Sequence, residues 1–97
     1  MTTPNENMTL VAIVDMADGY ADTGHHYEDQ VLALLGRHGG VIDWRFRGID
    51  GTSEVHLIRF QSRAGYESFM VDPERMAYRA ALGETAPTTR VIEVEPV

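Results

Sequence analysis

Hydrophobic and polar positions alternate along two neighbouring runs within residues 40–60, which are joined through Asp50-Gly51. Such alternation is typical of β-strands, and Asp-Gly is a preferred dipeptide of two-residue type I′ hairpin turns. With this dipeptide as the loop, one face of the hairpin is polar and the other is apolar. The polar face carries Asp43, Arg45, Arg47, Glu54 and His56, and the apolar face carries Ile42, Trp44, Phe46, Val55 and Leu57. A one-residue slip would exchange the faces, so their separation supports this register.

The remaining pattern predicts two further strands and two helical segments. The apolar run 10–14 indicates a strand, and the spacing of apolar residues over 25–38 predicts a helix that ends at Gly39-Gly40. Ser62 suits the N-cap of a second helix, and Asp72-Pro73 begins a continuation that runs to residue 82. A final strand is predicted over 89–95.

The predicted order is strand, helix, strand, strand, helix, strand. It defines an α+β, ferredoxin-like βαββαβ fold, with a four-stranded antiparallel sheet and both helices on one face. We expect residues 1–8 to be a flexible arm and residues 9–97 to form one domain. The first strand is apolar on both sides, so something must cover the second face of the sheet, and a second copy of the chain is the simplest candidate.

Composition narrows the function classes. A net charge of −7 argues against non-specific nucleic-acid binding and against docking to an anionic membrane surface. The chain has no cysteine, so it offers no disulfide, thiolate nucleophile or thiolate metal site. The N-terminal residues lack the pattern of a signal peptide, and the apolar runs are too short to span a bilayer. We therefore expect a cytoplasmic protein.

Several motifs in the second half of the chain resemble those of the small dimeric α+β-barrel proteins, and most of all an uncharacterised domain family among them. A strand ends in Phe60, a helix opens with Ser62, and further matches are Phe69, Asp72-Pro73-Glu74 and Tyr78 followed by Arg79. In the family a longer spacing separates the tyrosine from the arginine, and this chain departs from that pattern at Tyr78-Arg79. The resemblance covers about residues 9–95.

The resemblance implies a homodimer whose two sheets face each other, with a cavity between each sheet and its helices. Cofactor-free antibiotic-biosynthesis-type monooxygenases are distant relatives in this superfamily. The implied function is therefore that of an enzyme without a cofactor, acting on a small aromatic or carbonyl compound by proton transfer or oxygenation.

The polar face of the hairpin offers the best candidates for catalysis. The register sets Arg45 opposite His56, and opposed side chains have Cβ atoms about 5 Å apart. A histidine can act as acid or base near neutral pH, and an arginine can hold a carboxylate or enolate oxygen. Asp43, predicted opposite Ile58, could orient either side chain. The alternative is that these residues line a solvated face or form dimer contacts.

Other residues are candidates for ligand binding. His25 begins the first helix and could face a cavity mouth; His25 and His26 point in different directions, so no metal site is expected. Aromatic residues could form pocket walls, namely Tyr27, Trp44 and Phe69, although such positions are more often plain core. Tyr20 and Tyr66 could form the pocket rim.

Two functions remain open at this stage. In the first, His56 is the acid or base of an enzyme, Arg45 stabilises an oxyanion, and Tyr20 or His25 acts as a gate. In the second, the protein is a non-catalytic ligand-binding or accessory structural dimer. The second hypothesis predicts that Arg45 and Glu54 make contacts across the dimer interface and that side chains fill the interior.

Overall fold

The structure is a computed structural model that describes residues 7–97. Its strands and helices, in chain order, are β1 (Met8–Asp15), α1 (Ala21–Leu32), β2 (Gly40–Arg47), β3 (Ser53–Phe60), α2 (Arg63–Met70), α3 (Pro73–Leu82) and β4 (Thr88–Val94). Most of the predicted arm lies outside the described residues. Its last residue, Met8, is not part of an arm, because it is buried in the core as the first residue of β1.

The four strands form one antiparallel sheet in the order β2-β3-β1-β4. This is the predicted ferredoxin-like α+β arrangement, and the helices pack on one face of the sheet. Alternate residues of β1 and β3 are buried beneath them, together with side chains from the helical layer. The core cluster comprises Met8, Leu10, Ala12, Leu34, Leu35, Ile58, Phe60 and Phe69.

Local sequence signals account for most helix ends. The Ser62 hydroxyl accepts a hydrogen bond from the Gly65 amide at 3.1 Å, and Asp72 caps α3 by accepting from the Glu74 amide at 2.8 Å. The predicted helix over 25–38 is wrong in its extent. Helix α1 begins four residues earlier, at Ala21, and ends at Leu32; a 3₁₀ turn over Leu35–His38 then leads to Gly39.

The hairpin turn differs from the predicted type I′ turn, although the register is confirmed. A type I′ turn needs positive φ at both central residues, and only Gly51 has one, at +80°. The Gly48 amide donates to the Ser53 carbonyl at 2.9 Å, which leaves a four-residue loop over 49–52. This wider loop has the same midpoint, so Arg45 still pairs with His56.

A β-bulge at Asp43 breaks the predicted pairing beyond Trp44. Trp44 pairs with Leu57, but Ile42 rather than Asp43 pairs with Ile58. An extra residue on one strand shifts the alternation of faces. Asp43 therefore leaves the face of Arg45 and His56 and binds Arg59, with Oδ2 accepting from Nε at 2.5 Å.

The expectation that Trp44 is plain core is wrong, and the apolar face of the hairpin does not join the core. Trp44 and Phe46 are 61% and 59% exposed, because the polar face of the hairpin is the one that lies on the helix side of the sheet. We call the opposite side, which carries no helix, the outer face. Its apolar residues are Val11, Ile13, Val41, Trp44, Phe46, Val55, Leu57, Ile92 and Val94.

Candidate functional site

A cavity of about 280 Å³ lies between the sheet and the helices. Most of its wall is apolar or aromatic, formed by Leu10, Ala12, Val14, Tyr27, Val31, Leu32, Ile58, Phe60, Tyr66, Phe69, Met70 and Val91. Its polar lining comprises Glu28, His56, Arg75, Arg79 and Thr89. Because Arg79, Thr89 and Val91 are exposed, the cavity reaches the surface between α3 and β4. An apolar chamber with a few converging polar groups is the usual form of a small-molecule site.

His56 is the histidine of this cavity, and only 2% of its surface is exposed. Its Nε2 lies 2.7 Å from Oε1 of Glu54, to which it donates. Its Nδ1 has no hydrogen-bond partner within the described residues. Burial lowers the pKa of His56 below its ordinary value, and the hydrogen bond and charge of Glu54 offset this only in part. The ring is therefore neutral near pH 7, and Nδ1 carries the free lone pair.

Glu54 is fully buried and accepts hydrogen bonds from three side chains. Besides His56, Arg45 donates from Nε at 2.7 Å and from Nη2 at 3.0 Å, and His25 Nδ1 contacts Oε2. Burial would raise the pKa of Glu54, but the hydrogen bonds from Arg45, His56 and His25 outweigh it and hold the pKa at about 2. A permanent carboxylate therefore fixes the orientation and tautomer of His56.

His25 joins the start of α1 to the hairpin turn. Its Nε2 donates to the Gly51 carbonyl at 2.7 Å, while Nδ1 faces the Glu54 carboxylate. Both ring nitrogens therefore face acceptors. His25 thus links the Glu54 carboxylate to the hairpin turn, and it holds the turn against α1.

Glu28 is the second titratable group of the cavity. Its side chain comes from α1, is 5% exposed, and has no hydrogen-bond partner among residues 7–97. Burial, with a smaller contribution from the charge of Glu54, raises the pKa of Glu28 to about 7. A carboxyl group with this pKa can exchange a proton near neutral pH, which is the property of a general acid or base.

Four of the nine side chains predicted to form the site line the cavity. These are the candidate catalytic residue His56 and the candidate ligand-binding residues Tyr27, Tyr66 and Phe69. Arg45 lies one contact away, because it binds the carboxylate that holds His56 and also donates to Asp29 at 2.7 Å. The predicted opposition of Arg45 and His56 is confirmed, with Glu54 bridging the two side chains.

The other four candidates do not line the cavity. Asp43 is held by Arg59 after the bulge, and Trp44 lies on the outer face against Phe46, with ring centroids 6.1 Å apart. Tyr20 is 47% exposed as the residue before α1, and His25 contacts Glu54 instead of facing the cavity mouth.

Sequence reasoning missed Glu28, Arg75 and Arg79 as cavity residues and did not recognise Glu54 as the centre of the network. A signal for Glu28 was present, because it falls on the same helical stripe as Tyr27 and Val31, where an acid is out of place. Arg75 and Arg79 have the i, i+4 spacing that puts two side chains on one helix face. The position of Glu54 depends on which face the helices cover, and the hairpin pattern was assigned to the wrong one.

Residues 7–97 lack two kinds of feature. No cluster of three or more His, Cys, Asp or Glu side chains there is arranged to hold a metal ion. No helix in that range has the length and apolar character needed to cross a membrane.

No protein-family model and no curated protein matches the sequence. Solved structures do match. Rv0793 from Mycobacterium tuberculosis is similar with a TM-score of 0.75 at 19% identity, over 95% of this chain and 96% of that chain. SnoaB, a cofactor-independent oxygenase from Streptomyces nogalater, is similar with a TM-score of 0.74 at 16% identity, over 94% and 93% of the two chains.

A third structure, from Nitrosomonas europaea, is named as a candidate antibiotic biosynthesis monooxygenase. It has a TM-score of 0.77 at 8% identity and covers 100% of this chain and 96% of its own. The likenesses show a shared fold: this chain has the ferredoxin-like α+β fold found in antibiotic biosynthesis monooxygenase-like proteins, as the sequence resemblance implied.

Proposed function

We propose that the protein is a cofactor-independent enzyme that transfers a proton on a small aromatic or carbonyl compound held in the cavity. One observation carries the proposal: His56 is buried on the cavity wall, its Nε2 is held by Glu54, and its Nδ1 has no partner among residues 7–97. This is the arrangement of a general base whose tautomer is fixed by a carboxylate.

In the proposed reaction, Nδ1 of His56 removes a proton from an O–H or C–H group of the substrate. The negative charge that develops on the substrate oxygen is stabilised by a hydrogen bond from the protonated carboxyl of Glu28. Glu28 and His56 have environments that move their pKa values in opposite directions, which suits an acid and a base that share one site.

The fold likeness to SnoaB supports oxygenation as the next step. An electron-rich phenolate or enolate reacts with O₂ more readily than its protonated form does. Proton removal by His56 would thus be the protein's main chemical contribution, with O₂ as co-substrate. Asp43 and Trp44 have no place in this mechanism, and Arg45 acts by positioning Glu54.

The test is a screen of small phenols, hydroquinones and carbon acids, with oxygen consumption and solvent deuterium incorporation as readouts. His56→Ala should abolish turnover of any active compound, and the folded state should be checked by NMR. His26→Ala, which changes an exposed histidine on the same helix as His25, is the matched control and should keep full activity. Undiminished turnover by His56→Ala would remove His56 from the mechanism.

The alternative function is that of a non-catalytic small-molecule-binding or accessory dimer. It is favoured by the fact that Arg45 and His25 are both engaged by Glu54, as in a structural ion pair. Against it, the interior holds a cavity where this hypothesis expects filling side chains, and Arg45 and Glu54 already bind each other within one chain.

We also propose that the protein is a homodimer formed through the outer face. The support is the contiguous apolar surface around the exposed Trp44 and Phe46, because burying such a face favours association. Trp44→Asp should convert the dimer to a monomer in size-exclusion chromatography with light scattering. Wild-type protein that elutes as a monomer would overturn this assignment.

A further inference from the structure

Helix α3 brings two arginines to the cavity. Arg75 and Arg79 are four residues apart, so they share one face of the helix, and both line the cavity. Arg79 is exposed where the cavity reaches the surface, and Arg75 is half-buried. The mouth of the cavity thus carries two positive charges in a chain whose net charge is −7.

Neither guanidinium is neutralised by the described part of the protein. Arg75 donates from Nη1 to the Met70 carbonyl at 3.2 Å, its Cζ lies 5.1 Å from the centroid of the Phe69 ring, and its buried Nε has no partner there. Arg79 donates from Nη1 to the Pro87 carbonyl at 3.0 Å.

Three arginines away from the cavity behave differently. Arg37, Arg59 and Arg63 each form a salt bridge with a carboxylate. Glu28 is the acidic residue of the cavity lining that could form such a salt bridge. Its carboxyl group is not within 4.0 Å of either guanidinium, and burial raises its pKa to about 7 even though the charges of both arginines lower it. The cavity therefore retains an excess of positive charge near neutral pH.

We propose that the substrate carries a carboxylate in addition to its aromatic part, and that Arg75 and Arg79 bind this carboxylate at the cavity mouth. The inference rests on the proposed function and names its substrate class. Arginine recognises carboxylates through paired hydrogen bonds, and aromatic walls such as Phe60 and Phe69 accept the ring. A substrate bound in this way places its ring in the same chamber that His56 lines.

The proposal is tested by binding, which does not depend on turnover. The probes are benzoate and 1-naphthoate, each compared with its neutral primary amide, benzamide or 1-naphthamide, by NMR titration. A charge-assisted hydrogen bond stabilises a complex more than a neutral one does. We therefore expect at least one of the carboxylates to bind about 10-fold or more tightly than its amide. Equal affinities, or no carboxylate binding at low-millimolar concentration, would overturn the proposal.

Variants assign the preference to the two arginines. Arg75→Gln and Arg79→Gln should each reduce the preference for the carboxylate over the amide several-fold. Arg75→Lys, which keeps the charge, should retain part of this preference. Arg63→Gln, at an exposed arginine paired with Glu93, is the matched control and should leave the preference unchanged. A full preference in both glutamine variants would contradict the assignment.

The two proposals fail in different ways. If His56→Ala keeps turnover while the carboxylate preference persists, the proposed base is wrong and the substrate class stands. If His56→Ala loses turnover while wild-type protein binds carboxylates and amides equally, the proposed base stands and the substrate class is wrong.

Discussion

His56 Nε2 donates to Glu54 Oε1 at 2.7 Å, although the two residues are only two apart on the central strand β3. Residues i and i+2 of a strand lie on the same face, and here that face is buried beneath the helices. Both side chains are therefore removed from water and depend on each other. This hydrogen bond thus joins the proposed base to the carboxylate that holds Arg45 and His25.

Loss of the Glu54 charge should destabilise the fold. In Glu54→Gln, Arg45 and His25 lose their anionic partner, and we expect a decrease of about 2–4 kcal/mol in the free energy of unfolding at neutral pH. Urea denaturation followed by circular dichroism measures it. Glu93→Gln, which breaks the exposed pair with Arg63, should change stability by less than about 1 kcal/mol. Equal effects of the two variants would show that the buried contacts of Glu54 stabilise the fold no more than an exposed salt bridge does.

The pH dependence of turnover should have two limbs. His56 must be unprotonated to accept a proton, so activity falls on the acid side below its lowered pKa. Glu28 must be protonated to donate a hydrogen bond, so activity falls on the alkaline side near its pKa of about 7. Glu28→Gln keeps a donor but cannot ionise. The plot of kcat/KM against pH for this variant should therefore lose its alkaline limb. If the alkaline limb is unchanged, Glu28 is not the acid.

Glu28 should also make folding stability depend on pH. Its pKa is 4.5 when unperturbed and about 7 in the fold, so the folded state prefers the protonated form. The associated stability is complete below pH 4.5 and is lost as the pH rises through about 7, by up to about 3 kcal/mol.

Glu28→Gln lacks this loss, so its stability relative to wild type should rise between pH 4.5 and about pH 7 and then level off. Parallel urea titrations of the two proteins across that range measure the difference. If the difference stays constant with pH, Glu28 titrates normally in the folded protein.

The sequence was sufficient for the order of strands and helices because most of them have a strong local signal, whereas α1, which lacks a side-chain N-cap, was predicted with the wrong extent. Ser62 and Asp72 cap their helices, and the alternation over residues 40–60 fixes the pairing of Arg45 with His56. The sequence carries no such signal for the bulge at Asp43. The bulged residue follows Val41 and Ile42 in an otherwise regular strand, and the shift becomes visible only in the pairing of β2 with β3.

Half of the candidate site was out of reach for a different reason. An apolar hairpin face was assigned to the core, yet Trp44 and Phe46 are exposed while Glu54 and His56 are buried. Patterning predicts that two faces differ, but it does not say which face the helices cover when both can be buried. Glu54 is tolerated inside because Arg45 and His25 bind its carboxylate, and these partners come from β2 and α1.

Close approach of the backbone should make Gly65 irreplaceable in the first turn of α2. A Cβ atom there would lie 2.3 Å from the His38 carbonyl oxygen, which belongs to the backbone and cannot move aside. We expect Gly65→Ala to lower the free energy of unfolding by about 1–3 kcal/mol. Gly36→Ala is the matched control, because no atom of residues 7–97 lies within 4 Å of its Cβ position, and it should be neutral or stabilising by up to about 1 kcal/mol. Urea denaturation of both variants measures the contrast, and equal stabilities would show that the contact between α2 and the turn before β2 is looser than the structure indicates.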